Sequence, residues 1–426
     1  MISSLATQIV QVTDTAFLAH LGEQELGGAG NATLLYLTLF LIGMGFTTGI
    51  QIIIGRRNGE KNFGEIGIVW QHGLRFLLLF ETLLFVLLWL GREPLLSYFI
   101  SSSNILIPAS DYLGARSWGI FFTLTNLLFV AFFVGTTNTK ILAFFTPIVS
   151  IFNILLDYVL IFGEWGFPEL GVSGAAIASN LSEFLGLLFF IVYFIIKVDL
   201  KKYGFDIWHK FESIRIQRVL KLSTPLMLQN LISLGAWFVF FSIIEGLGER
   251  ELAISHVVRS LYIFCLVPVF ALGSSTNTLV SNLIGRNESE KVLGLIWKAT
   301  GIGLLFSLIP FLGIQFGADW ILEAFTGEEV LAQASKPTLL LVSYAVFTFA
   351  AGLVVFKGLS GTGNTSIALW LEVICVFIYL LASKALANIP DVSIEVVWYS
   401  EFIYFFLLFI LSWLFMYKGR WLNKQV

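Results

Sequence analysis

The chain has 426 residues, of which 57% are hydrophobic and only 12% charged, and its net charge is −3. A soluble domain carries about a quarter charged residues, so this composition excludes a molecule solvated by water alone. It also gives no basic excess for nucleic acid, and no nucleic-acid partner is expected.

Runs of roughly 20 apolar residues are long enough for a helix to cross the hydrocarbon core. They predict twelve spanning helices, near 2–19, 33–54, 67–90, 112–134, 141–162, 173–196, 222–244, 253–284, 292–315, 337–357, 366–386 and 397–417. The runs are too long and too uniformly apolar for a transmembrane barrel. The fold class is thus an all-α membrane protein. The chain opens on its first apolar run without a basic leader, so no cleaved signal peptide is expected, and the first helix has a short lead-in.

Taken in chain order, the first helix carries Asp14 within Gln11-Val12-Thr13-Asp14-Thr15, a polar cluster that lipid would not tolerate. The third carries Glu81, within reach of pairing with Arg75, and the fourth begins at Tyr112. The fifth holds Asn153 and Asp157, whose i, i+4 spacing sets them on one face, together with a possible kink point at Pro147. The run Gly171 to Ser179 is rich in small residues and predicts close packing of the sixth helix, with Glu183 one turn further on. Gln229 and Asn230 near the start of the seventh helix are candidates for a cavity lining or for interhelical hydrogen bonds. Glu372 and Glu401 are further acids in the spanning region, and each of Glu81, Glu183, Glu372 and Glu401 is a candidate second site or a partner in helix-to-helix pairing.

Segment 197–221 is the longest basic loop, and Trp208, Phe211 and Ile214 predict an interfacial helix within it, the alternative being a disordered basic loop. It separates two expected six-helix bundles, 1–196 and 222–426. Those halves echo each other: Leu21-Gly22-Glu23-Gln24-Glu25-Leu26 matches Leu247-Gly248-Glu249-Arg250-Glu251-Leu252, and Ile54-Gly55-Arg56 matches Ile284-Gly285-Arg286. Gly135 with Asn138-Thr139 is answered by Gly358 with Asn364-Thr365. An even number of helices per repeat sends both copies into the membrane in one direction, so the halves should be related by pseudo-two-fold symmetry along the membrane normal. The lysines and arginines gather in alternate loops, around Arg56, Lys140, 197–221, Arg286, Lys357 and the end of the chain. By the positive-inside rule these are cytoplasmic, as are both termini.

A buried aspartate must be paired, protonated or open to water. Two of them close together would repel, so one holds a proton or a cation sits between them. Asp14 and Asp157 are therefore the expected ion-coupling pair. There is no GxxxxGK[ST] phosphate loop, no HExxH and no CxxC; His20, His72, His209 and His256 are widely spaced, and Cys265 and Cys375 are read as packing residues. Neither an enzyme nor a bound metal is expected, and the energy must come from an ion gradient or a partner.

Several stretches resemble the multidrug and toxic compound extrusion family over essentially the whole chain. Val12-Thr13-Asp14-Thr15 with His20-Leu21-Gly22 looks like its first-helix signature, and Asn153 to Tyr158, Pro168 to Val172 and Gly174 to Ala178 look like its fifth and sixth helices. Gly135 to Thr139 and Gly361 to Thr365 resemble the turns after its fourth and tenth helices. The resemblance implies a V-shaped pair of bundles in the inner membrane that exports lipophilic organic cations in exchange for H⁺ or Na⁺, as a monomer and without other cofactors. It is nearest to the DNA-damage-inducible-F-like branch, whose ion-coupling positions fall on Asp14, Asn153 and Asp157, with Tyr112 and Ser179 as further members. Gln11, Gln229 and Asn230 are substrate-cavity candidates, and Na⁺ is a possible occupant of the Asp14, Asn153 and Asp157 group. Asn364 stands where other branches carry an acid. The alternative is a lipid or lipid-linked oligosaccharide flippase of the same superfamily, which should line its cavity with several basic residues where this first half has Arg75 and Arg116.

Overall fold

The computed structural model describes residues 2–205, 210–419 and 421–422, without the side chains of residues 2–8 and of Gln11. These residues form helices joined by short turns, and no strand occurs among them. Twelve helices are long once Ser103–Gly135 is taken as a single span with a 3-10 turn at Ser117–Gly119. They are α1 Ile2–Leu21, α2 Glu23–Gly59, α3 Phe63–Ser97, α4 Ser103–Gly135, α5 Leu142–Phe162, α6 Gly171–Lys197, α7 Ser213–Glu245, α8 Glu249–Gly285, α9 Val292–Thr326, α10 Glu329–Gly361, α11 Thr365–Ala387 and α12 Ile394–Tyr417. Of these, 11 are long and apolar enough to cross a membrane, and α1 with its polar cluster is the exception.

Several helices outrun the apolar runs that predict them. The α2 helix begins at Glu23 and reaches 37 residues, because the small and polar stretch from Glu23 to Ala32 continues the helix without adding to its hydropathy. In the same way α4 starts at Ser103, before the polar Ser110 and Asp111.

The chain divides into two compact units, Ile2–Ser223 and Thr224–Val426, so the boundary falls inside α7. The segment before α7 packs on the first unit: Gly67 N–H donates to the Tyr203 carbonyl at 2.8 Å, and Glu212 N–H donates to His72 Nε2 at 2.9 Å. Phe205 meets Trp70 and Phe194 with ring centroids 5.6 and 4.9 Å apart. The interfacial helix expected here is not formed over the described residues. Residues 200–204 are turns, helix resumes only at Ser213, and Trp208 lies outside the description. Phe211 stacks on His72 instead, with centroids 5.6 Å apart.

Duplication is visible in local geometry. Gly22 and Gly248 join the first two helices of each unit with φ of 147° and 148°, values that side chains rarely adopt, and a Cβ at either would meet a glutamate Oε2, of Glu25 or Glu251, at 2.5 Å. The turns after α2 and α8 use left-handed Lys61 and Asn287, at φ 57° and 59°, and those after α4 and α10 use Thr137 and Gly363. Packing repeats as well. In the first unit α4 lies against α2, α3 and α6, and in the second α10 lies against α8, α9 and α12.

Between helices in lipid, association depends on close packing rather than on the hydrophobic effect. The small-residue run at the start of α6 supplies this: a Cβ on Gly174 would come within 2.4 Å of the Leu160 carbonyl oxygen, so only glycine lets α6 approach α5 so closely. Further along the same pair Phe145 and Phe190 stack with centroids 3.8 Å apart. The α5 helix runs unbroken through Pro147.

Candidate functional site

The α1 helix packs along α5, held by Phe17 against Phe162 and Tyr158 at centroid distances of 5.7 and 6.4 Å. One turn before Phe17, Asp14 faces Asp157 across this seam, the two carboxyl groups lying within hydrogen-bonding reach of each other. Asp157 is fully buried, Asn153 on the same face of α5 is nearly so, and Asp14 is half-buried. Asp14 Oδ1, both Asp157 oxygens and Asn153 Oδ1 are buried and have no hydrogen-bond partner among the described residues. Such groups are ordinarily satisfied, and four orphaned acceptors in one seam demand a donor or a cation.

The structure thus brings together Asp14, Asn153 and Asp157, with Ser179 of α6 at the edge, where its hydroxyl accepts a long 3.5 Å bond from Asn153 Nδ2. Tyr112 is buried close enough to feel the charges of both aspartates, but its hydroxyl shares a hydrogen bond with Thr33. The side chain of Gln11 lies outside the described residues. All the donor atoms are oxygens, a set that suits a proton or a hard cation such as Na⁺ and no soft metal.

A second polar assembly stands beside this pair. Arg116 donates to Glu183 through Nη2 at 2.6 Å and Nη1 at 2.9 Å, and to Asn180 Oδ1 at 2.6 Å. Thr123 donates to Glu183 Oε2 at 2.5 Å, and Asn126 Nδ2 donates to the Glu183 carbonyl. The guanidinium lies 4.2 Å from the centroid of the Tyr36 ring, and its charge reaches Asp14. Glu183, a candidate second site on its sequence position, is therefore the fully engaged half of an ion pair. Sequence spacing hides this, since Arg116 and Glu183 lie on different helices and no local pattern links them. Glu81 accepts a 3.2 Å bond from Thr125 while its other oxygen is buried without a partner.

In the second unit Glu372 accepts hydrogen bonds from Ser233 at 2.7 Å and Tyr404 at 2.6 Å, and Glu401 accepts one from Tyr379 at 2.8 Å. Gln229 is buried with an unpartnered Nε2, and Asn230 is half-buried. Both belong to Thr224–Val426, a different unit from the aspartate pair.

One family model, described as MatE, matches the chain twice, over residues 1–159 and 225–383. The chain belongs to the MatE family. The first matched segment contains Asp14, Tyr112, Asn153 and Asp157, and the double match agrees with the repeated turns. Among curated relatives, this MatE chain is 25% identical over 358 residues to "Probable multidrug resistance protein NorM" of Thermotoga maritima, covering 83% of this chain and 76% of that protein. It is 23% identical to the "Multidrug resistance protein NorM" of Photobacterium profundum, over 83% of this chain and 78% of the relative. Among solved structures, a MatE-family multidrug transporter of the MOP superfamily in an outward-facing conformation matches with a TM-score of 0.93 at 18% identity, covering 100% of this chain and 94% of the other. At that identity the match shows the fold. The MatE chain is accordingly a multi-pass membrane protein.

Proposed function

We propose that the chain is a secondary multidrug exporter, of the branch whose ion site lies in the first unit, which expels lipophilic cations in exchange for H⁺ or Na⁺ by alternating access. The names of its relatives support the drug-export part of this reading. The coupling part rests on one observation, the four buried acceptor oxygens of Asp14, Asn153 and Asp157 that have no donor among the described residues.

Two ionised carboxylates about 4 Å apart repel by about 4 kcal/mol at an effective dielectric constant of about 20. A shared proton or a Na⁺ removes that repulsion and draws α1 against α5. Loss of the ion restores the repulsion and favours separation of the same two helices, so occupancy and helix position are linked. Exchange follows if a cationic substrate and the coupling ion stabilise different states of this seam. Export would run from the cytoplasm across the inner membrane, with both termini inside, by a monomer that catalyses no covalent chemistry.

The test is transport of a fluorescent lipophilic cation by the purified protein in liposomes, with a pH gradient and a Na⁺ gradient imposed in turn. Export under one gradient and none without it is the expected result. Transport indifferent to both gradients would refute the ion-coupled reading.

A further inference from the structure

Away from the aspartate seam, the first unit has an open cleft of about 510 Å³ between the end of α3, the start of α4 and the start of α6. It lies at the ends of the helices opposite the basic turns. One wall is a stripe of α4. Ser110 and Gly114, four residues apart, form a notch in which the Arg92 guanidinium of α3 rests, with Nε donating to Ser110 Oγ at 3.2 Å. A Cβ on Gly114 would come within 3.0 Å of Arg92 Nη1, so the glycine makes room for the cation. Arg92 also lies over the Trp89 ring, at 5.2 Å from its centroid.

The same cleft contains an opposite charge. Asp111 is exposed on its lining, and no ion pair among the described residues engages either Asp111 or Arg92. Trp118, two turns along α4 from Asp111, is half exposed and meets Trp89 edge to face. A cleft with one cation, one anion and exposed tryptophans is close to neutral overall. An anionic ligand would be better served by several basic residues, and a plain cation would be opposed by Arg92.

We propose that this cleft is a binding site for a phospholipid whose headgroup carries both a phosphate and an ammonium. The phosphate pairs with Arg92 and Ser110, and the ammonium sits between the Asp111 carboxylate and the face of Trp118. Tryptophan at the level of lipid headgroups suits the aromatic belt of membrane proteins. The acyl chains have a track to follow. Ile177 lines the cleft, and Leu181, Phe184 and Leu188 continue its stripe down α6 as exposed apolar side chains. A membrane lipid, rather than a soluble phosphate ester, is the occupant that uses both the charged cleft and this stripe.

The test uses delipidated full-length protein titrated with dioleoyl phosphatidylethanolamine or dioleoyl phosphatidylglycerol and read by native mass spectrometry. The protein should retain the ethanolamine lipid in preference to the glycerol lipid. Asp111→Asn should weaken the former to parity with the latter, and Arg92→Gln should weaken both by about tenfold, the loss of one charge-assisted contact. Ser173→Trp, which fills the cleft without changing charge, should block retention in a protein of unaltered thermal stability. Equal retention of both lipids by the wild type, or unchanged retention in these variants, would mean a non-selective annulus and overturn the proposal. Displacement by soluble glycerophosphoethanolamine at lipid-like concentrations would overturn the choice of a lipid.

Discussion

Asp157 and Glu183 are both acids facing the interior of the first unit, yet their surroundings differ in kind. Glu183 receives hydrogen bonds from two guanidinium nitrogens and the Thr123 hydroxyl, whereas neither oxygen of Asp157 has a donor among the described residues. A satisfied charge belongs to the scaffold, and an orphaned one is available to an ion. Removing half of the satisfied pair should therefore cost stability: Arg116→Ala leaves a partly buried carboxylate without its cation and is expected to destabilise the protein by up to about 3 kcal/mol, read from denaturation in detergent. The double variant Arg116→Met with Glu183→Leu should recover most of that loss, because a well-packed apolar pair replaces a buried ion pair at little cost. Asp157→Asn should behave oppositely, with stability kept or raised as the amide supplies Asp14 with a donor, while gradient-driven export falls to the leak rate of empty vesicles.

At the scale of elements, the corners and seams that sequence reading picked out carry measurable constraints. Gly22→Ala and Gly248→Ala each force a side chain into φ near 147°, and each should destabilise the protein by about 1–3 kcal/mol in thermal denaturation. Gly174→Leu should be worse, because backbone of α5 stands within 2.4 Å of the new Cβ and cannot move aside as a side chain could. The repeat, the close α5–α6 seam and the Asn153–Asp157 face were legible because each rests on local spacing or on small residues in series. Helix starts were less so: hydropathy sees Glu23 to Ala32 as a loop, although nothing in that stretch breaks a helix. The segment before α7 was misread for a related reason. Three apolar residues at helical spacing suggested an amphipathic helix, but Phe211 spends its ring on His72, a contact 139 positions distant in the chain that no local periodicity encodes. The Arg116–Glu183 pair is hidden from local periodicity for the same reason, its partners lying 67 positions apart.

For the whole molecule, orientation and coupling each give a measurable expectation. On a background with Cys265 and Cys375 replaced by alanine, Asn62→Cys in the basic turn after α2 should resist an impermeant maleimide in intact cells. Ser101→Cys, in the opposite turn after α3, should react. The reverse pattern would invert the topology. Coupling is tested most directly by the protons themselves, using concentrated detergent-solubilised protein in weakly buffered solution with a pH indicator. Addition of a lipophilic cation such as tetraphenylphosphonium should release protons from the wild type, or Na⁺ in a Na⁺-loaded sample, and should release neither from Asp14→Asn or Asp157→Asn. Ion release of wild-type size from either variant would contradict the assignment of coupling to the Asp14–Asp157 seam.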